Sequence, residues 1–346
     1  MTAVSPACPK TMEYGPCGGV AVDGTCEVAD HRCVFLDAAT VEWSGIDRDG
    51  TRMPRPGERT AAARAMRDLI ATRPIVVTDF PARALSLASI DECAQALAGR
   101  VDAVLAGDAG TARVQFPPAY RASLVQRRGL PVWAGLNMRD RNRVAVEGEL
   151  AALAVEGVAG VHCVTGDHTL TGHRPDAAPV FDLDSTEAVS LARAAGHLVS
   201  VAESPAAPPT AQRAPRLGEK VRAGADVCFV NHAGGVEPVR RFVDEVGSQH
   251  TELAGFIPCV PVVTDRGSAE LLASFTTLVL PDGFIDRILS ARDPEAEGIA
   301  LAVALSEQFL EIPGVIGINL SGGRDGGEMR FATAMATTAD RLGLGG

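Results

Sequence analysis

The sequence is short of aromatic residues, with only 2 Trp and 2 Tyr in 346 positions. With a net charge of −11 it offers no basic, aromatic-laced surface, and nucleic acid is excluded as an expected partner. No apolar run approaches the roughly 20 residues of a membrane helix, so no membrane partner is expected. The opening residues lack the charged-then-apolar layout of a secretory signal, and the expected location is cytoplasmic. There is no CxxC pair, no His pair at metal-ligand spacing, no Ser nucleophile elbow and no GxGxxG after a strand. Metal hydrolysis and acyl transfer are therefore weakly supported, and a separate Rossmann nicotinamide domain is excluded.

What the chain does have is rhythm. Eight short apolar runs recur and each stops at a polar residue or loop: 74–79, 101–108, 131–137, 158–167, 197–203, 225–231, 255–263 and 314–320. Between most of them apolar residues fall at helical spacing, as in Arg143–Glu156 and Ser185–Ala195. Eight strand–helix units predict an α/β fold, a (β/α)8 TIM barrel, with its catalytic groups at the C-terminal strand ends. A doubly wound open sheet is the alternative, since it shares the alternation and the polar strand ends.

Four of the 8 cysteines lie in the first 33 residues: Cys8, Cys17, Cys26 and Cys33. That segment is too short and Gly-rich to build its own core, so a staple is expected. In a reducing compartment, four thiolates on a metal are the better reading than disulfides. Zinc would be structural, an iron–sulfur cluster would add electron transfer, and free thiols are the third reading. The expected layout is a Cys-rich metal-binding module at 1–50, a linker at 51–73 and the barrel at 74–346. Ser204–Pro215, rich in Pro and Ala, reads either as a disordered surface loop or as a lid over the mouth.

The strand ends gather Asp79, Asp108, the run Arg139-Asp140-Arg141-Asn142, Gly166-Asp167-His168, Glu203, Asn231-His232 and Asn319 around one mouth. Carboxylates and amides suit proton transfer to nitrogen and recognition of a polar heterocycle. Any one of them could instead cap a helix.

These residues sit within wider motifs. CPKTMEYGPCGG from Cys8 is followed by Cys26-Glu27-Val28 and Cys33-Val34. Downstream stand RDRNR (139–143), TGDH (165–168), VFDLDS (180–185), KVRAGAD (220–226), GFIDRILSARDPEAEG from Gly283, and IPGVIGINLSGG (312–323). The combination resembles the methylenetetrahydrofolate reductase family together with the cysteine-rich module that accompanies it in many bacteria. The resemblance implies an oxidoreductase that passes a hydride, usually through FAD and from NAD(P)H, to the methylene group of 5,10-methylenetetrahydrofolate, giving 5-methyltetrahydrofolate. It gives Asp79 the role of acid and makes Asp140, Asn231 and Glu203 contacts to a reduced folate. It puts Asp108, Gly110, Thr111, Arg139, Gly166, Asp167, His168 and Lys220 on the cofactor side. Asp79 stands where the family has Glu, and Asn231 where it has Gln, each one methylene shorter. Two other readings stay open. One is a flavin-free tetrahydrofolate-dependent C1 enzyme; the other is a folate-binding or electron-transfer subunit docked to a partner. A protein partner or a homo-oligomer is a further expectation.

Overall fold

The computed structural model describes residues 8–108, 110–250, 252–273, 278–322 and 327–345. Ala109, inside the Gly107–Thr111 turn, and Gly323, at the end of the last motif, lie outside these residues, as do positions 1–7 and 346.

Eight parallel strands close into a barrel in chain order, with β1 pairing β8. The strands are β1 (Ile75–Asp79), β2 (Ala103–Ala106), β3 (Val132–Asn137), β4 (Gly160–Val164), β5 (Val199–Glu203), β6 (Val227–Val230), β7 (Gly255–Pro261) and β8 (Gly317–Ser321). Seven lie wholly inside one of the eight predicted runs, and β8 extends one residue past its run, to Ser321. The helices are α1 (Ala61–Thr72), α2 (Leu87–Leu97), α3 (Pro118–Gln126), α4 (Arg143–Glu156), α5 (Ser185–Ala194), α6 (Arg213–Ala223), α7 (Val236–Gly247), α8 (Arg266–Ala273), α9 (Phe284–Ser290), α10 (Pro294–Leu310) and α11 (Glu328–Leu342). Local chemistry sets their ends. The Asn142 side chain accepts from Ala145 N–H to start α4, and Gly157 in the left-handed region (φ 67°) stops it. Asp184 and Glu187 form a reciprocal capping box at the start of α5. No helix among the described residues is long and apolar enough to cross a membrane.

Strand alternation divides the core in two. Ile75, Val77, Trp133, Val227, Phe229 and Ile257 fill the lumen, while Val76, Val132, Val199, Val201 and Cys228 face the helices. Gly160 is required beside Trp133, since a Cβ there would meet the indole Nε1 at 2.4 Å. The stretch expected to be a linker contains α1, whose Ala63, Met66 and Ile70 pack into the lumen cluster and close the bottom of the barrel. Burying Met66 and Ile70 stabilises the closure by about 1.5–3 kcal/mol each.

Residues 8–59 contain no helix or strand, only isolated bridges such as Val20↔Cys26 and Ile46↔Arg52. They are ordered by contact with the barrel. Thr11 Oγ1 donates to Phe181 O at 2.6 Å, Trp43 N–H to Glu219 Oε2 at 2.6 Å, and Arg213 Nη1 to Cys17 O at 3.0 Å. The segment therefore sits on the C-terminal face over α5 and α6. From there it runs down α5, where Gly57 exchanges hydrogen bonds with Arg193, and reaches α1.

Candidate active site

On the β1–β8 side, lumen-phase residues bring Asp79, Asn319 and Ser321 together. Asn319 Nδ2 donates to Asp79 Oδ1 at 2.9 Å and approaches Cys259 Sγ at 3.6 Å, leaving its own Oδ1 buried without a partner. Burial pushes the Asp79 carboxyl above the ordinary range, and this outweighs hydrogen bonds from Asn319, Ser321 and the Gly322 N–H that favour its ionised form. A carboxyl that holds its proton is suited to donate one. The sequence run ends at Leu320, so Ser321 escaped notice; its signal was the period of two from Gly317 and Asn319.

The loops after β2, β3 and β4 carry an ion-pair cluster. Arg139 is fully enclosed and grips Asp140 with two bonds of 2.7 Å, while its Nη1 reaches Asp108 Oδ2 at 2.6 Å. This bidentate grip fixes the Asp140 carboxylate and leaves its outer oxygen lone pairs for a ligand, while Asp108 is held by one bond from Arg139 and by Gln115 Nε2 at 3.0 Å. Asn137, a lumen residue the sequence reading left out of its binding set, donates to Asp108 Oδ1 at 3.2 Å. Gly166 has φ +90°, and a Cβ there would lie 2.9 Å from that of Asn137. Asp167 is exposed, with Arg113 at 3.7 Å. His168 is buried; it caps a short turn by accepting from Leu170 N–H, and burial and the charge of Lys10 lower its pKa. Gly110 takes φ +56°, and Thr111 O accepts from His173 N–H at 3.2 Å, so this turn is tied to the loop after β4.

Around β5 and β6 the placement departs from expectation. Glu203 follows the phase of Val199 and Val201, so its carboxylate points away from the lumen into the β5–α6 layer. There it meets Lys220 Nζ at 2.9 Å and Arg213 Nη1 at 3.2 Å. Burial opposes its charge, but these two cations outweigh it and hold the carboxyl below the usual range. Lys220, expected beside the cofactor, also donates to Ala202 O at 2.8 Å and is buried. Asn231 does face the lumen, with Nδ2 donating to Ser204 Oγ at 3.3 Å. The 204–212 loop is tied to α6 by Arg213, which donates to Ala207 O and Pro208 O.

The four N-terminal cysteines line a single cavity with Lys10, Glu27, His31 and Phe35. Lys10 is buried and pairs with Glu27; burial works against its charge, but Cys17, Glu27 and Asp167 outweigh it. Burial raises Cys8 and Cys33 above the ordinary thiol range. Among the described residues no three His, Cys, Asp or Glu side chains converge into a metal-holding group. Four thiols facing one cavity beside a buried cation nevertheless suit a soft metal.

Residues 94–315, more than half of the chain, match the family model described as methylenetetrahydrofolate reductase. The chain belongs to this family. Residues 2–47 match a second model, described as methylene-tetrahydrofolate reductase C terminal, although here the segment precedes the barrel. A comparison with curated proteins finds no match. Among solved structures, the chain is similar to an uncharacterized protein from Clostridium thermocellum that binds two copies of 5-methyl-5,6,7,8-tetrahydrofolic acid. Identity is 11 %, TM-score 0.55, over 79 % of this chain and 99 % of the other. It is also similar to 2,3-dimethylmalate lyase, at 17 % identity and TM-score 0.47, over 81 % and 82 % of the two chains. At these identities the likeness is one of fold. Arg113, Arg139 and Lys220 each bond protein acceptors, so the two phosphates of either dinucleotide, the expected flavin or the nicotinamide, would be met by displacing these bonds or by other groups of the mouth.

Proposed function

We propose that the protein reduces 5,10-methylenetetrahydrofolate to 5-methyltetrahydrofolate, taking hydride from NADH or NADPH bound in the same mouth. The reading is carried by Asp79, a partly buried lumen carboxyl with raised proton affinity in a barrel of this family. Asp140, its oxygens fixed by Arg139, accepts N–H bonds from the amino-pyrimidine edge of the pterin, and Asn231 contacts the ring from the opposite side. The Asp79 O–H protonates N10, the bond from N10 to the methylene carbon breaks, and the N5 iminium remains. Hydride then adds to that carbon, giving the N5-methyl product and leaving Asp79 ionised. Glu203 serves this site by fixing the wall formed by β5 and α6. Cys8, Cys17, Cys26 and Cys33 would hold zinc, or alternatively an iron–sulfur cluster; zinc would supply a structural tie and no chemistry. Thiols kept free for a metal suit the cytoplasm.

The test is nicotinamide oxidation with methylenetetrahydrofolate, with the product identified by chromatography. Asp79→Asn should lower turnover by about 10²–10⁴-fold, the range of a lost general acid, with 5-methyltetrahydrofolate affinity retained. Wild-type protein that binds folate but turns nothing over with NADH, NADPH or reduced flavin would be a binding protein and not a reductase.

A further inference from the structure

We infer that Ser321 and His232 form a relay that returns a proton to Asp79 after each turnover. The inference rests on the reductase reading and deepens the part its acid plays. Ser321, the last residue of β8, hydrogen-bonds to the Asp79 carboxyl, and its Oγ lies 3.3 Å from His232 Nε2. His232 follows β6, so the chain of groups crosses the end of β7 and joins three parts of the rim.

The other neighbours of Asp79 cannot reload it. Asn319 offers an amide N–H that is not released near neutral pH, and the Gly322 N–H is likewise fixed. Burial pushes the Cys259 thiol, which faces Asp79 from β7, up to about 12, so it keeps its proton. Among these neighbours in the described residues, Ser321 alone leads onward to a group that exchanges. Burial is the sole influence moving His232, down to about 3, so the ring is neutral in the working range and relays without storing charge. Among the described residues no protein group bonds its Nδ1, and 5 % of the residue remains exposed.

Once N10 has taken the Asp79 proton, the Ser321 hydroxyl proton moves to the carboxylate. The proton on Nε2 replaces it on Oγ, and a proton from water enters at Nδ1. One solvent proton has been consumed and one carboxyl re-formed. The ring, now protonated on Nδ1, returns to its first tautomer by exchange with water. Ser321 and His232 touch no reacting atom, so they are positioning and relay residues.

The discriminating experiment compares the first turnover with the steady state. Stopped-flow mixing of protein with NADH and methylenetetrahydrofolate is run on wild type, Ser321→Ala, Ser321→Thr and His232→Gln. The first turnover draws on an Asp79 already protonated, so it should change less than about twofold in the three variants. Steady-state rates should fall about tenfold or more in Ser321→Ala and His232→Gln, the lower end of acid–base effects. They should show an enlarged solvent isotope effect, and Ser321→Thr, which keeps a hydroxyl, should recover most of the loss. Unchanged steady-state rates in both variants, with wild type active, overturn the relay and leave the reductase reading standing. Equal loss of the first turnover also overturns it, because the two residues would then only hold Asp79 in place. No turnover by wild type removes the reductase reading itself, and the relay with it.

Discussion

Replacing Glu203 by Ala tests whether this residue supports the wall or meets the substrate. The change leaves Lys220 Nζ and Arg213 Nη1, which sit 2.9 Å and 3.2 Å from its oxygens, buried without a counter-charge. Their side chains are 9 % and 1 % exposed, so water screens little. Removing one partner of such a buried group costs about 3–5 kcal/mol. At roughly 2 °C per kcal/mol for a chain of this size, the melting temperature should fall by about 6–10 °C. Differential scanning calorimetry reads this directly. The pH dependence adds a second signature. Two cations depress the folded carboxyl, so its stabilising contribution is present above the unfolded Glu value of about 4.3 and is lost as pH falls through the depressed folded value. Wild type should show that acid arm and the variant should not. Glu203→Leu with Lys220→Met should regain part of the loss, since Arg213 keeps its carbonyl partners. Affinity for 5-methyltetrahydrofolate should stay within about threefold of wild type. A melting shift under about 2 °C, or folate binding lost with stability unchanged, refutes the outward orientation.

Asp140→Asn should weaken folate binding by about 1.5–3 kcal/mol, as expected for hydrogen bonds to a charged group, measured by calorimetry. Undetectable binding by wild type at millimolar ligand would remove the folate reading altogether. Protein purified without chelator should carry one metal per chain by elemental analysis, and Cys17→Ser should reduce it; unchanged metal content would place the ligands elsewhere. Gly160→Val should destabilise by about 1–3 kcal/mol through overpacking against Trp133. Adding Trp133→Leu should restore part of that stability, and no restoration would mean the strain arises elsewhere.

The barrel was legible because each strand announces itself as an apolar run of the right length and each helix as a periodic one. Helix α4 begins and ends where Asn142 and Gly157 say it should. The direction of a strand-end side chain is harder to read, because a shift of one residue reverses the face. Asp79 and Asn319 fall on the lumen side, whereas Glu203, equally polar and equally terminal, falls on the helix side. Lys220 stands on α6, and its pairing with Glu203 is not legible from its own neighbours because that partner lies on β5. The apolar spacing of Ala63, Met66 and Ile70 was visible, but only a closed barrel shows that it has an opening for α1 to fill.

The N-terminal segment meets its partners across long stretches of chain, 136 residues from Arg193 to Gly57 and 196 from Arg213 to Cys17. At about 5–20 residues per second of synthesis, it leaves the ribosome roughly 10–40 s before α5 and α6 exist to receive it. It has no helix or strand to occupy it in that interval. Its four cysteines are thus presented to the cell on an open chain, and whatever they capture during translation travels with the segment until the barrel closes beneath it. The order of birth reverses the order of settling, and the four thiols meet the cell before the barrel that receives them is finished.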